Sequence, residues 1–502
     1  MGEGLRIGVV GSGASAVCLL DALAQADCEP GSITLFESAE SWWRGRPFQD
    51  DDAVLRVNAP PQDMSVRDGD TGHFARWLAV RGAAWHEDPF TGTPYCPRSV
   101  FGEYLEESAR TALRRLAERG WSVRLLGERV NSAVACHGGV RLQTSNGQQV
   151  WASHVVLCVG GGRPADPYGL TGRPGFVADP YPIAHRFESV APDTDVAVLG
   201  SGLTGVDAVL ALAARGHRGR IHLVSRTGAL PAVRQRPVEH PLRLFTRERL
   251  NAAARRNETM TVGQLTEVMR AELASAGEAL EAVADAVRSL TAGTPVSRLR
   301  RALAGVDSPS LALRIVQRAV PEAGPDVWTL LPEHEKSALT HSWLRTVMSL
   351  CCPMPPTSAA GLVELAESGQ LRFVHGVRGV AKPSGEPFRI SASGGRYRAT
   401  TVINAVPPHR AAAADQPLIK SLARRGIAEL HPRGGVRVDP FTSRFVVGGT
   451  ADPRWYALGD LAGGSLFFTF GVPSLVDRAR DISNALLEHL RSQSSMTRVP
   501  TA

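Results

Sequence analysis

Lysine is almost missing from this 502-residue chain: only Lys336, Lys382 and Lys420 interrupt the dominance of arginine among 56 basic residues. No run of five basic residues occurs, and acidic residues interleave the arginines, so the net charge of +7 is spread rather than clustered. A nucleic-acid surface needs a basic patch or stripe, and no nucleic-acid partner is expected. Closely spaced cysteine pairs are missing too. The seven cysteines (Cys18, Cys28, Cys96, Cys136, Cys158, Cys351 and Cys352) are odd in number and form no CxxC. That argues against a secreted disulfide scaffold and against a disulfide reductase, which needs two neighbouring redox thiols. The 14 histidines contain no HxxxH or HExxH spacing, so no metal site is expected. No apolar run is long enough to cross a membrane, and the start MGEGLRIGVVGSG lacks a signal peptide's basic segment and cleavage site. The expectation is a cytoplasmic protein with no membrane association.

What is present is an ordinary globular composition, 43% hydrophobic and 21% charged. At ~150 residues per domain the length predicts about three domains. A short apolar strand over 5–10 leads into the turn Gly11-Ser12-Gly13-Ala14-Ser15-Ala16 and a helix over 17–26. A second strand, 33–36, ends on Glu37. This is the βαβ dinucleotide fingerprint. Gly11 permits the tight turn, Gly13 lets the backbone approach a pyrophosphate, and Ala16 lets helix and strand pack closely. The helix N-terminus offers its N–H groups to the phosphates, and Glu37 can accept from a ribose diol.

The pattern recurs. A strand over 195–199 runs into Gly200-Ser201-Gly202-Leu203-Thr204-Gly205, a helix follows over 206–214, and the next strand, 220–224, ends on Ser225-Arg226. Counted from the first glycine of each turn, Arg226 falls in register with Glu37. An acid there favours a free ribose diol. A hydroxyl and a planar cation suit a 2′-phosphate, although a solvated strand-end arginine is the plainer reading. The first unit is therefore expected to hold FAD and the second NADPH. A third strand, 155–159, runs into Gly160-Gly161-Gly162, and a late strand, 455–458, ends in Gly459-Asp460 before a helix over 472–490. In the two-nucleotide flavoproteins that this layout resembles, a late strand-end Gly-Asp receives the ribityl chain, which implies a discontinuous FAD domain.

These motifs resemble the two-dinucleotide-binding flavoproteins, closest to the FAD/NAD(P)-binding group that includes the N-hydroxylating, or class B, monooxygenases. Asn58-Ala59-Pro60-Pro61-Gln62-Asp63-Met64-Ser65 is similar to that group's loop after the second strand, and 97–105 resembles its P-R-x-x-[FY]-x-x-Y-L helix. The resemblance places Met64, Ser65 and Arg98 near the flavin. It likens Ser225-Arg226-Thr227-Gly228 to the stretch after the NADPH strand, and Leu466-Phe467-Phe468-Thr469 to the closing flavin loop. The chain departs at 175–182, which lacks the histidine and tryptophan of the Baeyer–Villiger fingerprint, and at Asn404-Ala405-Val406, where an ATG hinge is usual.

The expected fold is thus α/β, with two Rossmann-like three-layer domains: FAD-binding 1–170 and 371–502, NADPH-binding 190–235 and 336–370, and a helical insertion over 236–335. Within the insertion, Thr261 opens a capping box, and apolar residues from Leu265 to Leu290 recur at helical spacing. Packing elaboration, a substrate lid and a partner surface all remain open for it. The implied chemistry is transfer of one oxygen atom from O2 to a small metabolite, most simply an amine or amino-acid-like compound of specialised metabolism. A flavin oxidase or dehydrogenase with a vestigial NADPH domain, and Baeyer–Villiger oxygenation, are the alternatives. His73, Gln62 and Arg234 are the weak catalytic candidates, each with a structural reading beside it. Arg236 shares Arg234's reading, and a Cys351–Cys352 redox pair is disfavoured by the strained ring it would form. A homo-oligomer is compatible with the sequence.

The register of Glu37 and Arg226 makes a direct prediction. In Arg226→Asp, kcat/KM for NADPH falls at least tenfold while that for NADH changes less than twofold, measured by steady-state oxidation of each. Equal loss of both would remove the 2′-phosphate role.

Overall fold

A computed structural model describes residues 5–82, 87–469 and 471–496. Its first sheet has six strands in the order Arg444–Val447, Thr450–Ala457, His154–Leu157, Arg6–Val10, Ser32–Phe36, Ser122–Leu126. All neighbours are parallel except the antiparallel edge hairpin of Arg444–Val447 with Thr450–Ala457. Both ends of the chain therefore build one sheet. The two-residue period of a strand sorts the side chains of Arg6–Val10. Ile7 and Val9 face Leu19, Leu23, Phe101 and Ile482 of the helices Ala14–Gln25, Arg98–Glu118 and Val472–Met496. Val10 faces Val140 and Leu142 of an antiparallel meander, Val130–Cys136, Gly139–Thr144 and Gln149–Ala152. Gly8 shares that face, where a Cβ would stand 2.8 Å from Leu142 Cδ1.

The second sheet repeats the plan, in the order Leu371–His375, Ile221–Ser225, Val196–Leu199, Thr401–Asn404, Phe176–Val177, with every pairing parallel. Val196 and Val198 pack on Val206 and Val209 of the helix Leu203–Ala214. Ala197 and Leu199 pack on Val380, Phe388 and Ile390 of a second meander, Gly379–Ala381, Phe388–Ala392 and Gly395–Ala399. Two three-layer α/β units result, one inserted in the other. The boundary expected at 370 moves. Leu371–His375 and Thr401–Asn404, assigned from sequence to the FAD unit, pair with Ile221–Ser225 and Val196–Leu199, so the second unit runs to 404.

The single long helix expected after Thr261 is two, Val262–Ser275 and Leu280–Ser289. Gly277 at φ 74° ends the first, and the Glu278 carboxylate turns away to accept from Ser310 Oγ and Leu311 N. The capping box at Thr261 and Gln264 forms as expected. Further helices cover Pro295–Ala304 and Ala312–Leu330.

Ionic contacts join the two units. Arg46 clasps Asp179 (2.6 Å) and Arg215 meets Asp52 (3.1 Å). Asp51 accepts from the N–H groups of Ile183 and Ala184 at 2.8 and 2.7 Å. Deepest is Arg98, whose guanidinium meets Asp207 at 2.7 Å and donates to Tyr181 Oη (3.0 Å) and the Arg56 carbonyl (3.1 Å). Tyr181 in turn donates to Asp207. Removing one member of a buried pair leaves the other charge without a partner, at a cost of about 3–5 kcal/mol. Arg98→Met is therefore expected to be destabilised by that order, and Arg98→Met/Asp207→Leu to regain most of it, read from urea unfolding midpoints. A double variant as unstable as the single one would show that the pair itself is not what Arg98 contributes.

Candidate functional site

The two glycine turns share the contacts of their first glycines and their uncapped helix starts. Gly11 (φ 97°) and Gly200 (φ 104°) take a conformation that only glycine adopts freely. A Cβ would lie 2.4 Å from the Cys158 carbonyl oxygen in the first turn and 2.6 Å from that of Ala405 in the second. Gly11 N donates to the Phe36 carbonyl and Gly200 N to that of Val224, both at 2.8 Å. Gly13 and Gly202 are the N-caps of their helices, and neither start has a side-chain cap bond. Ala16 N donates back to the Gly13 carbonyl (2.9 Å), but among the described residues the N–H groups of Ala14, Ser15, Leu203 and Thr204 have no acceptor, which is the arrangement that binds a phosphate. Ala16 is fully buried. Gly205 lies tighter still, where a Cβ would come within 2.1 Å of the Gly200 carbonyl oxygen.

The strand ends differ. Glu37 is held across the first turn: its Oε2 accepts from Ser12 N (3.0 Å) and Ser12 Oγ (3.1 Å), and its Oε1 from Ser38 N and Ala39 N. At the second unit Ser225 Oγ accepts from Gly228 N (2.9 Å), shaping the turn that presents the exposed Arg226. Burial and then Arg226 hold Arg345 below the usual guanidinium range. Neither arginine has an acidic partner among the described residues. Arg345 escaped the sequence reading because it lies far along the chain, on the helix Leu344–Cys351. Leu203 and Thr204, half-buried, open the second helix, and Ser201 Oγ donates to the Ala229 carbonyl (2.6 Å).

Asp460 follows the strand Thr450–Ala457 and lies beside Gly161, where a built Cβ would be 2.9 Å from its Oδ2. Burial pushes its carboxyl up and the Gly161 N–H pulls it back. Gly160 (φ 68°) has open space where a side chain would stand. Around the first unit, Met64 is buried in the core. Ser65 Oγ is spent on its own loop, donating to the Asp70 carbonyl (2.6 Å) and accepting from Arg67 N. Thr469 is buried beside Gly463, and Gln62 is exposed in the short turn Pro61–Asp63.

The remaining candidates have structural partners. His73 Nδ1 lies 2.8 Å from Tyr104 Oη within a cluster of Phe74, Trp77 and Phe101, and burial holds its pKa below the usual imidazole range. Arg98 serves the junction of the two units. Arg234 donates to the Asn58 carbonyl (3.0 Å). Arg236 clamps Asp307 and the Phe90 and Thr91 carbonyls. Cys351 and Cys352 are free thiols, and burial raises the Cys352 pKa to about 11.

A group of charges from distant parts of the chain went unseen in the sequence: Asp63, Arg234, Arg318 and Glu322. Asp63 is exposed at the end of the turn Pro61–Asp63, and the protein packed around it pushes its carboxyl up, against the pull of Arg234 and Arg318. Glu322 is raised in the same way, by burial, with Arg318 pulling it back and Asp63 adding to the rise. Arg318 and Glu322 belong to the insertion helix Ala312–Leu330, which buried charges fasten to the FAD unit. Arg247 meets Asp477 (2.7 Å) and Asp481 (3.0 Å) of the C-terminal helix, and Arg478 meets Asp481 (3.2 Å) and Asp326 (3.8 Å). Trp328 Nε1 donates to the Gly464 carbonyl (3.3 Å). The insertion is therefore seated on the FAD unit, beside the loop expected to close over the flavin. Among the described residues no group of three His, Cys, Asp or Glu is placed to hold a metal, and no helix is long and apolar enough to cross a membrane.

Residues 8–162 match the family model described as FAD-NAD(P)-binding. The uncharacterized protein YdhS of Escherichia coli is 24% identical over 286 residues, 50% of this chain and 52% of that protein. The chain thus spans about half the length of the curated relative it matches. Two of the similar solved structures are the ornithine hydroxylase PvdA of Pseudomonas aeruginosa (TM-score 0.55, 16% identity, 97% of this chain and 100% of that one) and the cadaverine monooxygenase DfoA of Erwinia amylovora, bound to FAD (0.55, 12%, 97% and 95%). A third is L-lysine 6-monooxygenase of Pseudomonas syringae (0.53, 15%, 96% and 99%). At these identities the likeness is one of fold. The chain has the fold of the two-dinucleotide-binding flavoproteins, and its first nucleotide-binding segment matches the FAD-NAD(P)-binding family.

Proposed function

We propose that the protein is an FAD- and NADPH-dependent monooxygenase that adds one oxygen atom from O2 to the nitrogen of a small amine or amino-acid-like metabolite. The observation that carries this reading is the contrast between two matching glycine turns, one closed by Glu37 and the other by Arg226 with Arg345 nearby. Bound FAD would supply hydride acceptance and oxygen activation.

The residues fit that cofactor. The glycine-lined turn and uncapped helix start at Gly13 would receive the pyrophosphate, Glu37 the ribose, and Asp460 with Gly160 the ribityl chain. Gly200, Gly202, Leu203, Thr204 and Gly205 would do the same for NADPH, with Arg226 and Arg345 on the 2′-phosphate. Met64 and the loop Leu466–Thr469 would border the ring. The helical insertion would keep water from it, which protects an oxygen-transfer site from wasteful peroxide release. The amine must arrive or become unprotonated to act as a nucleophile. Three similar structures are named for ornithine, cadaverine and lysine, each an amine, which supports the substrate class.

Anaerobic stopped-flow mixing tests the reading. NADPH is expected to bleach the bound flavin with no other substrate present, and an amine is then expected to be oxygenated only when O2 is admitted. Bleaching by the organic substrate without NADPH would favour a flavin oxidase or dehydrogenase instead.

A further inference from the structure

The helix Ala312–Leu330 carries Arg318 and Glu322 and also has an apolar face. Val320, Gly324, Val327, Trp328 and Leu331 line a cavity of about 120 Å³. Phe245, Leu339, Leu344, Val347 and Phe467 complete its wall, which is almost wholly apolar. An apolar cavity of this order stays dry and accepts a ligand the size of benzene.

Three local irregularities meet at this wall. Pro321 and Pro325 lie inside the helix, where each removes a backbone hydrogen bond. A π-helical turn, Leu339–Trp343, supplies Leu339, and such turns concentrate at functional sites. Phe467 stands at φ 62°, ψ −72°, an uncommon conformation for a bulky residue. Its ring stacks on Trp328 with centroids 4.5 Å apart and planes 18° from parallel. Gly324 lets the helix come this close, since a Cβ there would be 3.0 Å from Phe468 Cβ. Phe467 and Phe468 belong to the loop read above as closing over the flavin. The cavity therefore shares a wall with the loop proposed to border the flavin.

We propose that this cavity holds the hydrocarbon part of the substrate, an aryl or branched-alkyl group of about six carbons, so that the oxygenated amine is an aryl- or branched-alkyl amine rather than a linear diamine. This rests on the monooxygenase reading. A compact apolar group regains the dispersion contacts that the empty cavity lacks and leaves no polar atom unpaired, and a linear ammonium-tipped chain would bury its charge there.

The test uses the FAD-loaded protein with toluene as probe, followed by saturation-transfer NMR. Toluene is expected to bind saturably. Val347→Phe, which fills the cavity, weakens it at least tenfold, and Val347→Ala, which enlarges it, keeps or tightens it. 2-Phenylethylamine and isoamylamine are expected to displace toluene, and cadaverine is not. Absence of saturable binding, equal binding by Val347→Phe, or displacement by cadaverine alone overturns the proposal. Failure of NADPH to bleach the flavin in the same preparation would instead overturn the monooxygenase reading, with toluene binding still reporting on the cavity.

Discussion

Everything proposed for this molecule depends on two nucleotide-binding units held in a fixed relation, and the buried contact of Arg98 with Asp207 and Tyr181 joins them. Arg98 is presented by a helix of the first unit, Asp207 by the glycine-motif helix of the second, and Tyr181 by the segment leading into it. Buried charges of this kind add little net stability compared with a well-packed apolar contact, but they tolerate very few relative positions. A planar guanidinium shared among a carboxylate, a phenol and the Arg56 carbonyl has one geometry that satisfies all three. The surface pairs at Arg46–Asp179 and Arg215–Asp52 add orientation around that fixed point. Hydride transfer between two bound dinucleotides demands positioning on the scale of an ångström, and a junction with one solution supplies it.

The two units share a mould and differ where ligand identity is decided. Their first glycines make the same backbone bond at the same length and exclude a side chain against the same carbonyl of a neighbouring strand or its extension. The divergence that bears on the ligand lies at the strand ends. There one unit holds a carboxylate in a web of four hydrogen bonds, and the other exposes a cation next to a second cation. Such an arrangement keeps the folding determinants apart from the specificity determinants.

Local grammar made the motifs legible. Gly11, Gly13, Gly200 and Gly202 each obey a rule that operates within a few residues, as do the capping box at Thr261 and the helix Pro295–Ala304. What escaped was non-local. The meanders backing each sheet are short strands whose pairing partners and facing core residues come from elsewhere in the chain. The membership of Leu371–His375 in the second sheet depends on its pairing with Ile221–Ser225, which no local pattern encodes. Asp63, Arg234, Arg318 and Glu322 come from three separate regions. Arg98 lies in a recognisable motif, but its pairing with Asp207, an aspartate inside an otherwise apolar helix, joins residues more than a hundred positions apart.

The glycines at the two helix starts carry a thermodynamic implication. A serine or aspartate at either position would satisfy the first-turn N–H groups from within the chain, and this chain gives up that self-sufficiency twice. Its stability is thereby made a function of ligand supply: a dinucleotide present at a hundred times its dissociation constant adds roughly 2.7 kcal/mol to folding. The abundance of the folded protein would then follow the availability of its cofactors, so that scarcity acts on the amount of enzyme as well as on its turnover.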